Sequence, residues 1–104
     1  MAVLWIARWN IPSGRIKEYT GWAENIIPRL IAAPKVKEFR AYRSTITSHR
    51  ILMMLEFESL KGWAEFTESG EGKKIWTEIM SNTVNLSAEL WGPSPIAPEP
   101  LHAE

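Results

Sequence analysis

Tryptophan is the residue type in this sequence that points most directly to a binding site. The 104 residues include six tryptophans, and five of them fall on the strand or the helices that should bound a cleft. Large flat side chains can stack on an aromatic ligand, or they can simply fill a core that is poor in phenylalanine. Buried indole nitrogens need hydrogen-bond partners, so polar neighbours or a wet cavity should accompany them. The candidate ligand-binding residues are Trp5, Trp9, Trp22, Tyr42, Met53, Trp63 and Trp76.

Residues that could act as acids, bases or nucleophiles are few. The chain has no cysteine, which excludes a thiol nucleophile, disulfides and thiolate metal sites. His49 could act as a general base oriented by Glu38, but a single histidine at a strand end is most often a surface residue. The two histidines, His49 and His102, are too far apart in the sequence to form the HxH or HxxxH pattern of a metal site. Arg40 and Tyr42 could bind a phenolic or anionic ligand, or could lie on a solvated edge strand. The sequence predicts no metal and no cofactor, and it identifies no catalytic residue.

The charge balance argues against several classes of partner. Twelve basic residues balance twelve acidic ones, so no net field attracts nucleic acid. Every acidic residue is glutamate, and the absence of aspartate removes a common ligand for hard metals. The first ten residues lack the features of a signal peptide, and no apolar stretch reaches the roughly 18 residues of a membrane span. We therefore expect a cytoplasmic protein without a membrane or nucleic-acid partner.

The hydrophobic pattern predicts six elements in the order β-α-β-β-α-β. Apolar spacings of three and four predict the helices, and β-branched or alternating runs predict the strands. Pro28 predicts a kink or a break in the first helix. Ser59 is a candidate cap for the second helix, and Gly70 and Gly72 predict its division into two pieces with a loop between them. The expected strands are 2–10, 36–44, 49–57 and 84–91, and the expected helices are 15–33 and 60–80.

This order predicts an α+β, ferredoxin-like sandwich with both helices on one face of a four-stranded sheet. The other face is also apolar. Leaving its four large aliphatic side chains in water would forgo about 1.5–3 kcal/mol each, which rivals the whole stability of a small domain. We therefore expect a homodimer formed through this face, with Arg8 and Glu56 paired or at a wet end. The aliphatic residues are Leu4, Ile6, Leu52 and Met54.

Over residues 1–92 the chain resembles the dimeric α+β barrel superfamily, in particular the antibiotic-biosynthesis-monooxygenase-like group. The resemblance rests on the element order, on the run VLWIARWNIPSG before an amphipathic helix, and on SLKGWAEF at the start of the second helix. It implies two ferredoxin-like protomers packed sheet to sheet as a dimeric α+β barrel, with a small-molecule cleft between each sheet and its own helices. Trp63 matches a tryptophan of the haem-degrading members. The region of their iron-ligating histidine reads Gly72-Lys73-Lys74-Ile75-Trp76 here, so haem is not expected.

The expected organisation is a barrel domain at 1–92 and a Pro-rich extended tail at 93–104. The tail is either disordered or an arm that lies on the partner subunit through Ile96 and Leu101. The resemblance implies a possible cofactor-independent monooxygenase acting on a phenolic or quinol substrate in a Trp-lined cleft. A non-catalytic ligand-binding or interaction protein on the same scaffold is the alternative.

Overall fold

The computed structural model describes residues 2–103, which form four strands and three helices. The strands make one antiparallel sheet in the order β2-β3-β1-β4, which confirms the predicted α+β, ferredoxin-like architecture. Within residues 2–103, no helix is long and apolar enough to cross a membrane. The elements are β1 Val3–Asn10, α1 Ile16–Ile31, β2 Val36–Arg43, β3 Arg50–Phe57, α2 Leu60–Glu68, α3 Gly70–Asn82 and β4 Val84–Trp91.

The core lies between the sheet and the helices. Successive side chains of a strand point to opposite faces, so β1 alternates between buried and half-buried residues along its whole length. The buried positions of β1 and β3 face the same way and pack against one stripe of each helix. The buried core consists of Val3, Trp5, Ala7, Trp9, Ile26, Leu30, Met53, Leu55, Phe57, Phe66, Ile75 and Ile79.

Helix α1 is a single helix, so of the two alternatives predicted at Pro28, a kink or a break, the break does not occur. Pro28 lies in the last turn of a helix that ends at Ile31. A proline there removes one backbone hydrogen bond close to the end, where the rest of the helix loses little. The carbonyl of Pro28 still accepts from the backbone N–H of Ala32 at 3.0 Å.

The second helical region is divided as predicted, but not by a loop. Ser59 caps α2, and the division falls at Ser69, which ends α2 and caps α3. The Ser69 hydroxyl donates to the Phe66 carbonyl at 2.6 Å and accepts from the backbone N–H of Gly72 at 3.0 Å. A Cβ at Gly72 would lie 1.8 Å from the Phe66 oxygen, so this junction requires glycine. Gly70 and Gly72 therefore lie inside α3 and not in a connecting loop.

The face of the sheet opposite the helices, here called the free face, carries the second apolar set. Its members Leu4, Ile6, Leu52 and Met54 are all partly exposed. The charges expected on this face are paired, Arg8 with Glu89 and Glu56 with Lys37 at 3.7 Å. The second copy expected to cover the free face stays a prediction.

Residues 92–103 contain no helix or strand. Ile96 and Leu101 are 95% and 85% exposed, so neither side chain packs on its own chain. The arm that these residues could form on a partner subunit stays a prediction.

Candidate functional site

Two cavities of very different size lie between the sheet and the helices. The larger one, here called the tryptophan pocket, has a volume of about 370 Å³ and lies beneath α2 and α3. The smaller one lies beneath α1 and has a volume of about 40 Å³. Small-molecule sites usually have volumes of about 300–1,000 Å³, whereas the smaller cavity has room for little more than water. The tryptophan pocket is therefore the candidate site.

Three tryptophans from three different elements form the aromatic wall of this pocket. Trp5 comes from β1, Trp63 from α2 and Trp76 from α3. The rings of Trp5 and Trp76 lie 5.6 Å apart between centroids, with their planes inclined at 43°. Ala88 of β4 completes the floor, and its small side chain leaves the space open. The arrangement presents flat apolar surfaces to any molecule that enters.

Trp63 differs from Trp9 and Trp22 in its hydrogen bonding. Trp9 Nε1 donates to the Tyr19 hydroxyl at 2.9 Å, and Trp22 Nε1 donates to Glu78 Oε1 at 3.3 Å. The indole N–H of Trp63 is enclosed and has no acceptor among residues 2–103. An enclosed donor without an acceptor costs about 1–3 kcal/mol. This unsatisfied group belongs to a residue in the wall of the tryptophan pocket.

The polar side chains of the pocket come from the turns next to its tryptophans. The hydroxyls of Thr67 and Thr77 donate to backbone carbonyls of their own helices at 3.0 and 2.9 Å, so their remaining lone pairs can accept. Of the eight lining residues, Lys73 is the ionisable one, and it is exposed. These three residues were not predicted from the sequence. A signal existed for two of them, because Thr67 lies four positions after Trp63 and Lys73 lies three positions before Trp76 on the same helix face, whereas Thr77 is the immediate neighbour of Trp76.

The smaller cavity contains the other part of the predicted set. Trp9, Trp22 and Met53 line it together with Tyr19. Burial raises the pKa of the Tyr19 hydroxyl, and the hydrogen bond from Trp9 opposes that shift in part. Tyr19 is therefore neutral at physiological pH, and its cavity is a nearly filled part of the core.

Tyr42 lies apart from both cavities, which corrects its predicted place among the cleft residues. It is 50% exposed, and it pairs in register with Leu52 on the free face. The alternation of β2 gives Tyr42 the same side as Arg40, and Arg40 pairs with Glu38 at 2.8 Å on the solvated edge. His49 is exposed at the turn before β3.

An ion-pair network joins α1 to α3 beside the cavities. Arg29 donates to both carboxylate oxygens of Glu78 at 2.9 and 2.8 Å, and to Glu71 at 2.9 Å. The hydrogen bonds from Arg29 lower the pKa of the Glu78 carboxyl, against the opposing effect of burial. Sequence reasoning missed this network, because its members are more than 40 positions apart and no local pattern joins them.

The similarity of this chain to known proteins lies in structure and not in sequence. No protein-family model and no curated protein sequence matches it. A Deinococcus radiodurans protein assigned as an antibiotic biosynthesis monooxygenase superposes with a TM-score of 0.79 at 6% identity, over 98% of both chains. A variant of SnoaB, a cofactor-independent oxygenase from Streptomyces nogalater, gives 0.77 at 9% identity, over 94% of this chain and 98% of its own.

A third structure extends the comparison beyond proteins named as oxygenases. An EthD family protein from Bacillus halodurans superposes with a TM-score of 0.75 at 14% identity, over 90% of this chain and 100% of its own. Identities this low establish a shared fold, and one fold can host many activities. The chain therefore has the ferredoxin-like α+β fold of proteins assigned as antibiotic biosynthesis monooxygenases, as its resemblance implied.

Proposed function

We propose that this protein binds a flat phenolic or quinol molecule in the tryptophan pocket and oxidises it with dioxygen, without a cofactor. The observation that carries the proposal is the enclosed, unpartnered N–H of Trp63 in the wall of a pocket of about 370 Å³. A ligand oxygen would supply the missing acceptor after a small rotation of the Trp63 ring that opens the enclosed N–H to the pocket. The fold shared with SnoaB, a cofactor-independent oxygenase, supports the assignment.

Binding would use both the apolar and the polar parts of the wall. The aromatic ring of the ligand would stack on Trp76, and its hydroxyl would accept from the Trp63 N–H. The lone pairs of Thr67 and Thr77 would accept the hydroxyl protons of a second polar substituent. Lys73 would attract the deprotonated form of the phenol, because a phenolate is an anion beside an exposed ammonium group.

The oxidation would draw all its electrons from the substrate. A phenol and dioxygen would give a quinone and water, with one oxygen atom entering the ring and the other leaving as water. The phenolate is the electron-rich form that reacts with dioxygen, so Lys73 would favour the reactive species. The apolar walls would exclude water and strengthen the attraction between the phenolate and Lys73.

The proposed working form is a homodimer formed through the free face. Its four partly exposed aliphatic residues adjoin one another in the sheet, since Ile6 pairs with Met54 and Leu52 lies beside Arg8. The same face of a second copy is the simplest cover, because two-fold homodimers are the commonest assembly. The fold shared with proteins of the dimeric α+β barrel superfamily supports this arrangement.

A non-catalytic binding protein is the second candidate. It is favoured by the composition of the wall, in which Lys73 is the ionisable residue and no carboxylate or histidine contributes. Because the wall offers no general base, a phenol that was to be oxidised there would have to lose its proton to solvent. The two candidates agree on the ligand and differ on turnover.

Calorimetric titration with 1-naphthol and 1,4-dihydroxynaphthalene tests both candidates when it is combined with an oxygen electrode. The oxygenase proposal expects saturable binding and oxygen uptake that matches quinone formation in metal-free buffer. Saturable binding without uptake would select the binding protein. The absence of saturable binding would overturn both. Trp63→Phe should weaken this binding, and Trp91→Phe is its control, because the same substitution is then made at a half-exposed tryptophan outside the pocket.

A further inference from the structure

The smaller cavity, beneath α1, has a wall that is almost entirely apolar. Within residues 2–103, twelve side chains line it, and three of them carry a nitrogen or an oxygen atom. Trp9 Nε1 donates to the Tyr19 hydroxyl at 2.9 Å, and Trp22 Nε1 donates to Glu78 Oε1 at 3.3 Å. Of these lining side chains, Tyr19 therefore has the one polar group left to bond a molecule inside the cavity.

Water is a poor occupant of this space. A buried water usually makes about two to four hydrogen bonds to polar groups, and the lining side chains offer it one hydroxyl. A water molecule there would lose most of the hydrogen bonds that it makes in bulk solvent. An empty void is also unfavourable, because the atoms that line it lose dispersion contacts. The cavity therefore favours a small apolar molecule.

The volume of the cavity limits its occupant to a few atoms. An apolar cavity of about 150 Å³ can hold a benzene ring, whereas this one has a volume of about 40 Å³. An aromatic substrate therefore does not fit, but a diatomic molecule does. Ala41 of the edge strand β2 lines the cavity and is exposed, so the wall reaches the surface at a point where a dissolved gas can enter.

The cavity and the tryptophan pocket are neighbours in the layer between the sheet and the helices. On β1, Ala7 is the one helix-side residue between Trp5 of the pocket and Trp9 of the cavity. On α3, Ile79 of the cavity follows Trp76 of the pocket by about one turn. A molecule held in the cavity is therefore close to the site of the proposed oxidation.

We propose that this cavity binds dioxygen. Dioxygen is diatomic, neutral and apolar, which matches the volume and the wall of the cavity, and it is the co-substrate of the proposed oxidation. Its use in that reaction rests on the proposed function, whereas its binding does not. Dioxygen held beside the tryptophan pocket would have a short path to a bound phenol.

Methyl NMR of the full chain under nitrogen and under oxygen tests the binding, because dioxygen is paramagnetic and speeds the relaxation of nuclei that it contacts. Met53 and Ile79 line the cavity and are 2% and 0% exposed, so dioxygen in bulk solvent does not contact them. Leu55 is the control, since it is 0% exposed on the same strand as Met53 and lines neither cavity. Oxygen should speed the relaxation of the Met53 and Ile79 methyl groups more than that of Leu55. Equal effects at all three residues, or no effect at any, would overturn the proposal.

Two alanine substitutions separate the cavity from the pocket. Ala41→Val should remove the excess relaxation at Met53, because the added methyl groups lie in the cavity beside Met53, the partner of Ala41 in register. Valine suits a strand, so this variant should fold. Ala88→Val makes the same change on the other edge strand, where it narrows the tryptophan pocket, and should leave the excess unchanged. An excess that persists in Ala41→Val would contradict the proposal, and the comparison with Leu55 in the parent protein decides it if the variant does not fold.

Kinetics with an oxygen electrode test the use of the bound dioxygen. Ala41→Val should raise the KM for dioxygen and leave the KM for 1,4-dihydroxynaphthalene unchanged, whereas Ala88→Val should do the reverse. An unchanged KM for dioxygen in Ala41→Val would exclude the cavity from the reaction. Failure of the proposed function would look different, because the parent protein would then take up no oxygen while the excess relaxation at Met53 remained.

Discussion

Replacing Trp63 with phenylalanine should stabilise the protein or leave its stability unchanged, whereas most substitutions of a half-buried tryptophan destabilise. The indole N–H is enclosed without an acceptor, and an unsatisfied donor costs about 1–3 kcal/mol. Phenylalanine removes that donor but leaves a small void, which costs about 1 kcal/mol. The expected change in the free energy of unfolding therefore runs from zero to a gain of about 2 kcal/mol.

Trp76→Phe is the matched control, since it changes the same residue type in the same pocket. The Trp76 nitrogen is not a buried, unsatisfied donor. Trp76→Phe should therefore lose about 1 kcal/mol of stability with no compensating gain. Denaturation in guanidinium chloride measures the free energy of unfolding of both variants. Equal slopes of that free energy against denaturant concentration would show that the two unfolding reactions are comparable. A Trp63→Phe variant that is less stable than Trp76→Phe would refute the reasoning.

The ligand side of the same prediction uses a pair of probes. Naphthalene and 1-naphthol differ by one hydroxyl group. Trp63→Phe should weaken 1-naphthol binding about two- to tenfold, the value of one neutral hydrogen bond, and should leave naphthalene binding nearly unchanged. Trp76→Phe should weaken both probes equally through lost stacking. Equal losses for both probes in Trp63→Phe would exclude a hydrogen bond from this indole.

Three further predictions concern the assembly, the helix junction and the response to pH. Ile6→Glu places a charge at the centre of the free face and should convert a dimer into monomers in sedimentation velocity, whereas an unchanged sedimentation coefficient would place the interface elsewhere. Gly72→Ala should destabilise by more than about 3 kcal/mol in chemical unfolding, because its Cβ meets backbone, whereas Gly70→Ala should change stability by less than about 1 kcal/mol, because nothing lies within 4 Å. Arg29 lowers the pKa of Glu78 in the folded protein, so the pair's contribution is present above the unfolded pKa and lost as the pH falls below about 4.3. Arg29→Gln should remove that contribution, about 1 kcal/mol or less, and should flatten the thermal stability profile between pH 7 and pH 3, while a parallel profile would show that the pair contributes nothing.

The order of the elements and the two faces of the sheet followed from local pattern. Alternation in β1 placed Trp5 towards the helices and Ile6 away from them, since period two is a property of any strand. The predicted break at Pro28 and the predicted loop at Gly70 and Gly72 were wrong, because the surroundings of these residues overrode their usual local preference. Pro28 is tolerated because it falls in the last turn of α1. Gly72 lies inside α3 and has no side chain because the Phe66 carbonyl approaches it too closely for one.

The candidate site was less predictable, because it depends on where whole helices lie. Trp9 and Trp63 both belong to the helix side of the sheet, yet they line different cavities, because α1 covers one half and α2 with α3 the other. Tyr42 needed the register between β2 and β3, which aligns it with Leu52 on the free face. The enclosed indole nitrogen of Trp63 is a property of three-dimensional surroundings that composition does not encode.

The hydroxyl of Ser69 bonds both of the helices that supply Trp63 and Trp76 to the proposed binding pocket. It joins the end of α2 to the start of α3, and Trp63 of α2 and Trp76 of α3 both line the pocket. A bulkier guest would have to spread the helices against both bonds. Substitution of Ser69, which does not line the pocket, should therefore change the size of the ligands that the pocket can bind.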